Sequence, residues 1–206
     1  MLRVGPDDLV IITADHGEEF LEHGRLGHTI SLYPELLRIP LFVFWPNGGI
    51  QTARVPGPVS LIDVVPTILD ALQIDLPPWL SGVSLLPAIR GEPLQPRSLL
   101  FSRIKEHGEG EPEKIYGLLE DGWLYLERHP QGEQLLFNLK EDPWALANLA
   151  SRNPKRQKAR QKAMGSQLHA ESEALPHWER EFTHRTNLDK DLIKRLNQLG
   201  YAASGE

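Results

Sequence analysis

The 206-residue chain contains no cysteine. Disulfides and thiolate metal sites are therefore excluded, while the compartment stays open. No apolar run reaches the roughly 18 residues that a membrane-spanning helix requires, so no membrane span is expected. Residues 1–6 carry none of the apolar stretch that a secretory signal peptide places there. No segment recurs at a fixed period, which sets aside solenoid and propeller architectures. Positive charge is also in deficit, 22 Lys and Arg against 28 Asp and Glu, for a net charge of −6 and an isoelectric point near 5.8. Residues 152–162 hold six basic side chains and no acidic one. They lack interleaved aromatics and sit in an acidic chain, so they read as a solvated helix face, and no nucleic-acid partner is expected.

The 40% hydrophobic content supports one sizeable core, or one core with a small satellite. Leu9, Val10, Ile11 and Ile12 form a short, mostly β-branched run suited to a strand buried on both faces, as in a parallel sheet covered by helices. Asp15, His16 and Gly17 follow at its carboxyl end, the edge where open α/β sheets gather ligand sites. An ionised Asp beside a His at such a place is costly unless paired, and a shared cation is one way to pair them. Asp-His-Gly is also an ordinary turn tripeptide, so the surroundings carry the argument. His23 and His28 follow in a loop punctuated by Gly24 and Gly27, and the chain then resumes as an apolar run at residues 36–44. A polar loop bracketed in this way is a candidate active-site rim.

The stretch TADHGEEFLEHGRLGHTISLYPELLRIPL resembles the DHGE segment of sulfatases and related hydrolases of the alkaline phosphatase superfamily. The resemblance rests on an ordered series: D-H-G-E, E-H-G, G-H, L-Y-x-E-L and R-x-P-L. It implies Asp15 and His16 as ligands of a divalent metal ion, with Ca²⁺, Mn²⁺ and Zn²⁺ not distinguished, and His28 as the catalytic contact to the sulfate or phosphate oxygens. Many relatives place a lysine in a G-H-G-K motif where this chain reads Gly27-His28-Thr29-Ile30. VSLIDVVPTILDALQIDLP, SGVSLLPAIRGE, GWLYL, LFNLKEDPWALANLA and the closing RLNQLGY resemble later parts of the same family. The nucleophile pentapeptide C/S-x-P-x-R is not found, nor is the strand with paired aspartates that completes the family's metal site. The chain thus resembles the carboxyl-terminal part of the family's fold, a fragment.

The expected fold class is α/β: a mostly parallel sheet with helices, plus a small antiparallel subdomain. Residues 1–97 are assigned to the sulfatase-like α/β part. Residues 98–150 are assigned to the antiparallel part, because four short strand-like runs are separated by turn signals and Asp121-Gly122 is a strong two-residue hairpin signal. Residues 151–206 are expected to form a helical tail packing on the body, with Asn187 capping a last helix whose apolar face carries Leu188, Leu192, Leu196 and Leu199. Pro66 suits a helix first turn, with Ile68, Leu69 and Leu72 on the face toward the sheet. Asp63 reads as a cap, Asp142-Pro143 as the start of a turn into a short helix, and Trp123, Tyr125 and Phe137 as core.

These features imply part of a metal-dependent hydrolase of sulfate esters, with a small molecule, glycan or lipid ester of sulfate or phosphate as substrate. The oligomeric state is left open. One alternative is a non-catalytic truncated module; another is part of a phosphatase or phosphotransferase of the same superfamily. A third arrangement, a zinc site built from His16, His23 and His28, has irregular spacing against it, and His23 is read as a rim residue.

Overall fold

The computed structural model describes residues 4–28, 31–48, 54–105 and 111–174. The chain divides into two compact units, residues 1–171 and 172–206. The second is described only at residues 172–174, the end of a helix. The expected helix after Asn187 lies outside the described residues.

Strand β1 (Val10–Thr13) emerges from the apolar run anticipated for it. A two-residue pair follows, β2 (Glu19–Phe20) and β3 (Leu26–Gly27), then the one-turn helix α1 (Pro34–Leu37) and strand β4 (Leu41–Phe44). The mostly parallel sheet expected around residues 9–14 has no parallel pair among the described residues. β1 pairs with β4 antiparallel, Val10 opposite Phe44 and Thr13 opposite Leu41, and every strand pair among the described residues is antiparallel. The physical reason lies in the connection. A parallel neighbour needs a crossover that carries the chain back to the start of the sheet. Between β1 and β4 the described residues instead form a hairpin and a single helical turn, and the chain re-enters beside the end of β1. The ribbon leaves an apolar face uncovered: Ile12, Phe42 and Phe44 are each more than half exposed. β1 has no second strand neighbour among the described residues.

A 3-10 turn (Leu61–Asp63) leads into helix α2 (Val64–Ala71), and helix α3 (Leu86–Ile89) packs nearby. Pro66 lies in the first turn of α2, as expected, and the helix's buried positions are Pro66 and Thr67, with Leu72 exposed beyond its end. Thr67 is buried because its hydroxyl donates to the Asp63 carbonyl at 2.6 Å and accepts the Leu85 N–H at 2.9 Å, tying α2 to the α3 segment. Asp63 is a cap and more. It is fully buried, accepts the Ser60 and Val83 N–H groups at 2.8 and 3.0 Å, and takes the Arg97 guanidinium in a two-point pair.

Strands β5 (Leu99–Lys105), β6 (Glu113–Glu120), β7 (Trp123–His129) and β8 (Glu133–Asn138) form an antiparallel sheet in sequential order. Asp121 and Gly122, with φ of 51° and 75°, make the left-handed two-residue turn that joins β6 to β7. The unbroken apolar run of β7 is explained by burial on both sides, since successive side chains point to opposite faces. Leu124, Leu126, Leu135 and Phe137 lie on one face with Ile115 and meet Leu32, Tyr33 and Leu37 from the loop around α1. Leu118, Tyr125 and Leu136 occupy the other and pack on Met164. Met164 belongs to helix α4 (Pro154–Ala174), which opens on a proline where the missing N–H costs nothing.

The basic run in α4 is therefore more than solvated surface. Arg156 lies over the Trp123 ring at 4.1 Å from its centroid, and Arg160 pairs with Glu120. Tyr125 and Phe137 are core as expected, while Trp123 is only half-buried beneath Arg156. Residues 143–150 form turns in place of the expected short helix. The Asp142 carboxylate accepts the Ala147 N–H at 2.8 Å, which closes a tight turn there.

Candidate functional site

Asp15, His16 and Gly17 follow β1 directly, and the local geometry explains the glycine. A Cβ at Gly17 would stand 2.0 Å from the Glu35 carbonyl oxygen of α1. Only glycine lets the strand end approach this closely, and the Gly17 N–H donates to the Leu36 carbonyl at 2.9 Å across the junction. The hairpin β2–β3 is thereby held over α1, and its far end returns His28 to the same place.

His16 and His28 stack, with ring centroids 4.3 Å apart and 30° between planes. His16 Nδ1 lies 2.8 Å from the Gly17 carbonyl, which only accepts, so Nδ1 carries the proton and Nε2 keeps its lone pair. That lone pair is 3.7 Å from Asp15 Oδ2, while Asp15 Oδ1 accepts the His16 N–H at 3.0 Å. One oxygen and one nitrogen at this separation suit a single divalent ion bound at about 2.0–2.4 Å from each. The Asp15 side chain is 89% exposed, so the pair supplies two ligands on an open surface rather than a closed shell. His28 Nδ1 contacts the Glu18 carboxylate at 3.2 and 3.3 Å. Glu18, the final residue of the D-H-G-E motif, thus orients the His28 ring, a partnership that sequence spacing alone does not disclose.

A cleft of about 750 Å³ opens beside these residues, with Asp15 on its wall together with Thr13, Arg38, Arg54, Ser60 and Lys140. His16 and His28 do not line it. The candidate chemistry therefore sits at the cleft's rim, and the cleft itself carries three cationic side chains.

His23 departs from the rim position expected for it. Its side chain is 13% exposed, its ring stacks on Tyr33 at 3.6 Å, and its nitrogens face Glu35 and the Ala145 carbonyl. Both nitrogens are thereby committed away from His16 and His28, and the three-histidine zinc arrangement is not formed.

The same residues carry a match to known proteins. Residues 3–74 fit the family model described as Sulfatase. Arylsulfatase K of Mus musculus is 36% identical over 154 residues, an alignment covering 71% of this chain and 27% of that protein. The chain belongs to the sulfatase family. The Delta 4,5-hexuronate-2-O-sulfatase of Bacteroides thetaiotaomicron is 33% identical over 158 residues, covering 73% of this chain and 32% of the relative. Among solved structures, a 2-O GAG sulfatase matches with a TM-score of 0.69 and 23% identity over 80% of this chain and 36% of that one. The phosphonate monoester hydrolase of Silicibacter pomeroyi matches with a TM-score of 0.65 and 21% identity over 82% of this chain and 35% of that one. These two likenesses show the α/β fold. The chain of this sulfatase-family member spans about 27% of the mouse relative's length.

Proposed function

We propose that this chain supplies one part of the catalytic centre of a metal-dependent sulfuric ester hydrolase. Asp15 and His16 contribute two ligands to its divalent metal, and His28 contacts the oxyanion. The observation that carries the reading is the convergence of Asp15, the lone-pair nitrogen of His16 and the stacked His28 at the end of one strand. When bound, the metal supplies Lewis-acid stabilisation of the ester oxygens. The protein's own residues do the rest. Gly17 fixes His16 through its carbonyl, and Glu18 holds His28 Nδ1, which fixes the ring that meets negative charge developing on the substrate. Arg38, Arg54 and Lys140 give the adjoining cleft a cationic wall suited to an anionic ester.

The substrate class proposed is a sulfate ester of a carbohydrate, following the relative named as a hexuronate-2-O-sulfatase. The remaining ligands, the nucleophile and the parallel strands of the complete sheet would join at the free edge of β1 and the uncovered face of β1 and β4. The division at residues 97 and 150 into an α/β part, an antiparallel part and a helical tail belongs to the same proposal.

An assay with aryl sulfates and aryl phosphates tests it. The chain alone should give no turnover above background, because oriented ligands without a nucleophile lack the covalent step. In the full-length hydrolase that carries this segment, Asp15→Ala and His16→Ala should each lower bound metal and sulfatase activity together. Turnover by the chain alone that vanishes with Asp15→Ala would refute the division of labour. Unchanged metal content in both full-length variants would refute the ligand assignment.

A further inference from the structure

Behind the surface pair lies a second, buried group of metal-ligating side chains: Glu19, His23 and Glu35. One donor atom from each falls within 4.8 Å of the other two. The His23 Nε2 is 3.1 Å from the Ala145 carbonyl, which only accepts, so Nε2 carries a proton. Nδ1, the nitrogen that holds the lone pair in a neutral ring, faces Glu35 Oε1 at 2.5 Å. Two acceptors at that distance require a positive partner. Nor is this the whole demand: both Glu19 carboxylate oxygens and Glu35 Oε2 are buried without a hydrogen-bond partner, and Glu19 is 1% exposed. A single proton on Nδ1 would serve one of these four oxygens and leave a buried carboxylate uncompensated, which is expensive in a low-dielectric interior.

We propose that Glu19, His23 and Glu35 form a buried site for one divalent cation of the Mn²⁺ or Zn²⁺ class, separate from the Asp15 and His16 pair. Two carboxylates and one imidazole are a borderline donor set, which favours these ions over the all-oxygen preference of Ca²⁺ and Mg²⁺. One such ion neutralises both carboxylates. Metal-bound histidines characteristically donate their other N–H to a backbone carbonyl, and Ala145 provides it. Ala145 is itself buried and held at a φ of 55°, a left-handed conformation that is unfavourable for alanine. A cation here would pin the hairpin that carries His28, through Glu19 and His23, to helix α1 through Glu35 and to the turn after β8 through Ala145.

Equilibrium dialysis of the chain against Mn²⁺ or Zn²⁺, with bound metal measured by elemental analysis, tests the site. The expected result is one equivalent retained by the wild type and by an Asp15→Asn, His16→Gln double variant, with binding weakened about ten- to a hundredfold or more in Glu19→Gln. Co²⁺ substitution gives a readout that does not depend on the Glu19 variant. The double variant should still show the visible absorption of a nitrogen- and oxygen-ligated ion, and its melting temperature should rise with added metal. Absence of bound metal in the wild type overturns the proposal. Loss of metal from the double variant also overturns it, placing any ion on the surface pair.

Discussion

Replacing Gly17 by alanine isolates the contact that brings the candidate site together. The new Cβ would lie 2.0 Å from the Glu35 carbonyl oxygen and 3.3 Å from the Leu36 Cα, where ordinary contact begins near 3.4 Å. The opposing atoms are backbone and cannot rotate away, so the end of β1 and helix α1 must part by more than an ångström. That movement breaks the Gly17 to Leu36 hydrogen bond, a net loss of about 0.5–1.5 kcal/mol. Overpacking adds about 1–3 kcal/mol, for a total of about 1.5–4.5 kcal/mol. Gly17 is not in the left-handed region, so the cost arises from the contact and not from the backbone angle. Gly24→Ala is the matching control: its φ is 75° with nothing within 4 Å of the added carbon, and it should cost only the left-handed penalty of about 1–2 kcal/mol. Urea unfolding followed by far-ultraviolet circular dichroism gives both values. A loss below about 1 kcal/mol for Gly17→Ala would refute the argument, because that approach could then be relaxed without breaking the hydrogen bond.

Asp63→Ala should destabilise the chain by about 3–5 kcal/mol, since it strands the Arg97 guanidinium and the Ser60 and Val83 N–H groups. Asp63→Asn, which keeps an acceptor oxygen, should cost less, and equal denaturation midpoints for the two variants would contradict this. Burial, followed by the hydrogen bond and charge of Glu127, pushes the Tyr125 hydroxyl well above its usual value near 10. The folded state therefore holds this proton more tightly than the unfolded state. Its stabilising contribution is complete below pH 10 and is lost as pH rises beyond it toward the folded value. Tyr125→Phe should accordingly show a shallower fall in urea midpoint between pH 9 and 11, and an unchanged slope would assign the alkaline loss to other groups.

How much of this was legible beforehand follows from the range over which each interaction acts. Asp121 and Gly122 announced the β6–β7 turn because a two-residue hairpin is specified by the backbone preferences of its own two residues. The four strands of the carboxyl-terminal sheet were likewise readable as short runs between turn signals, and the D-H-G-E series pointed to Asp15, His16 and His28. Pairing direction was not readable. β-branched residues at 10–12 favour a strand without stating its neighbour, and the antiparallel return of β4 depends on how residues 14–40 close on α1.

The same separation runs through the site. Local sequence placed Asp15 and His16 side by side, but the stacking of His28 on His16 and its tether to Glu18 exist only once the β2–β3 hairpin has folded back. Gly17 looked like a turn residue and is glycine because a helix 18 residues further along the chain presses a carbonyl against it. His23 looked like part of a polar rim, yet its partners Glu35 and Ala145 lie 12 and 122 positions away and hold it in the interior. Composition, capping and turn chemistry act between neighbours and are written in order along the chain. Burial and the pairing of distant charges depend on which surfaces meet, and only the tertiary structure decided those.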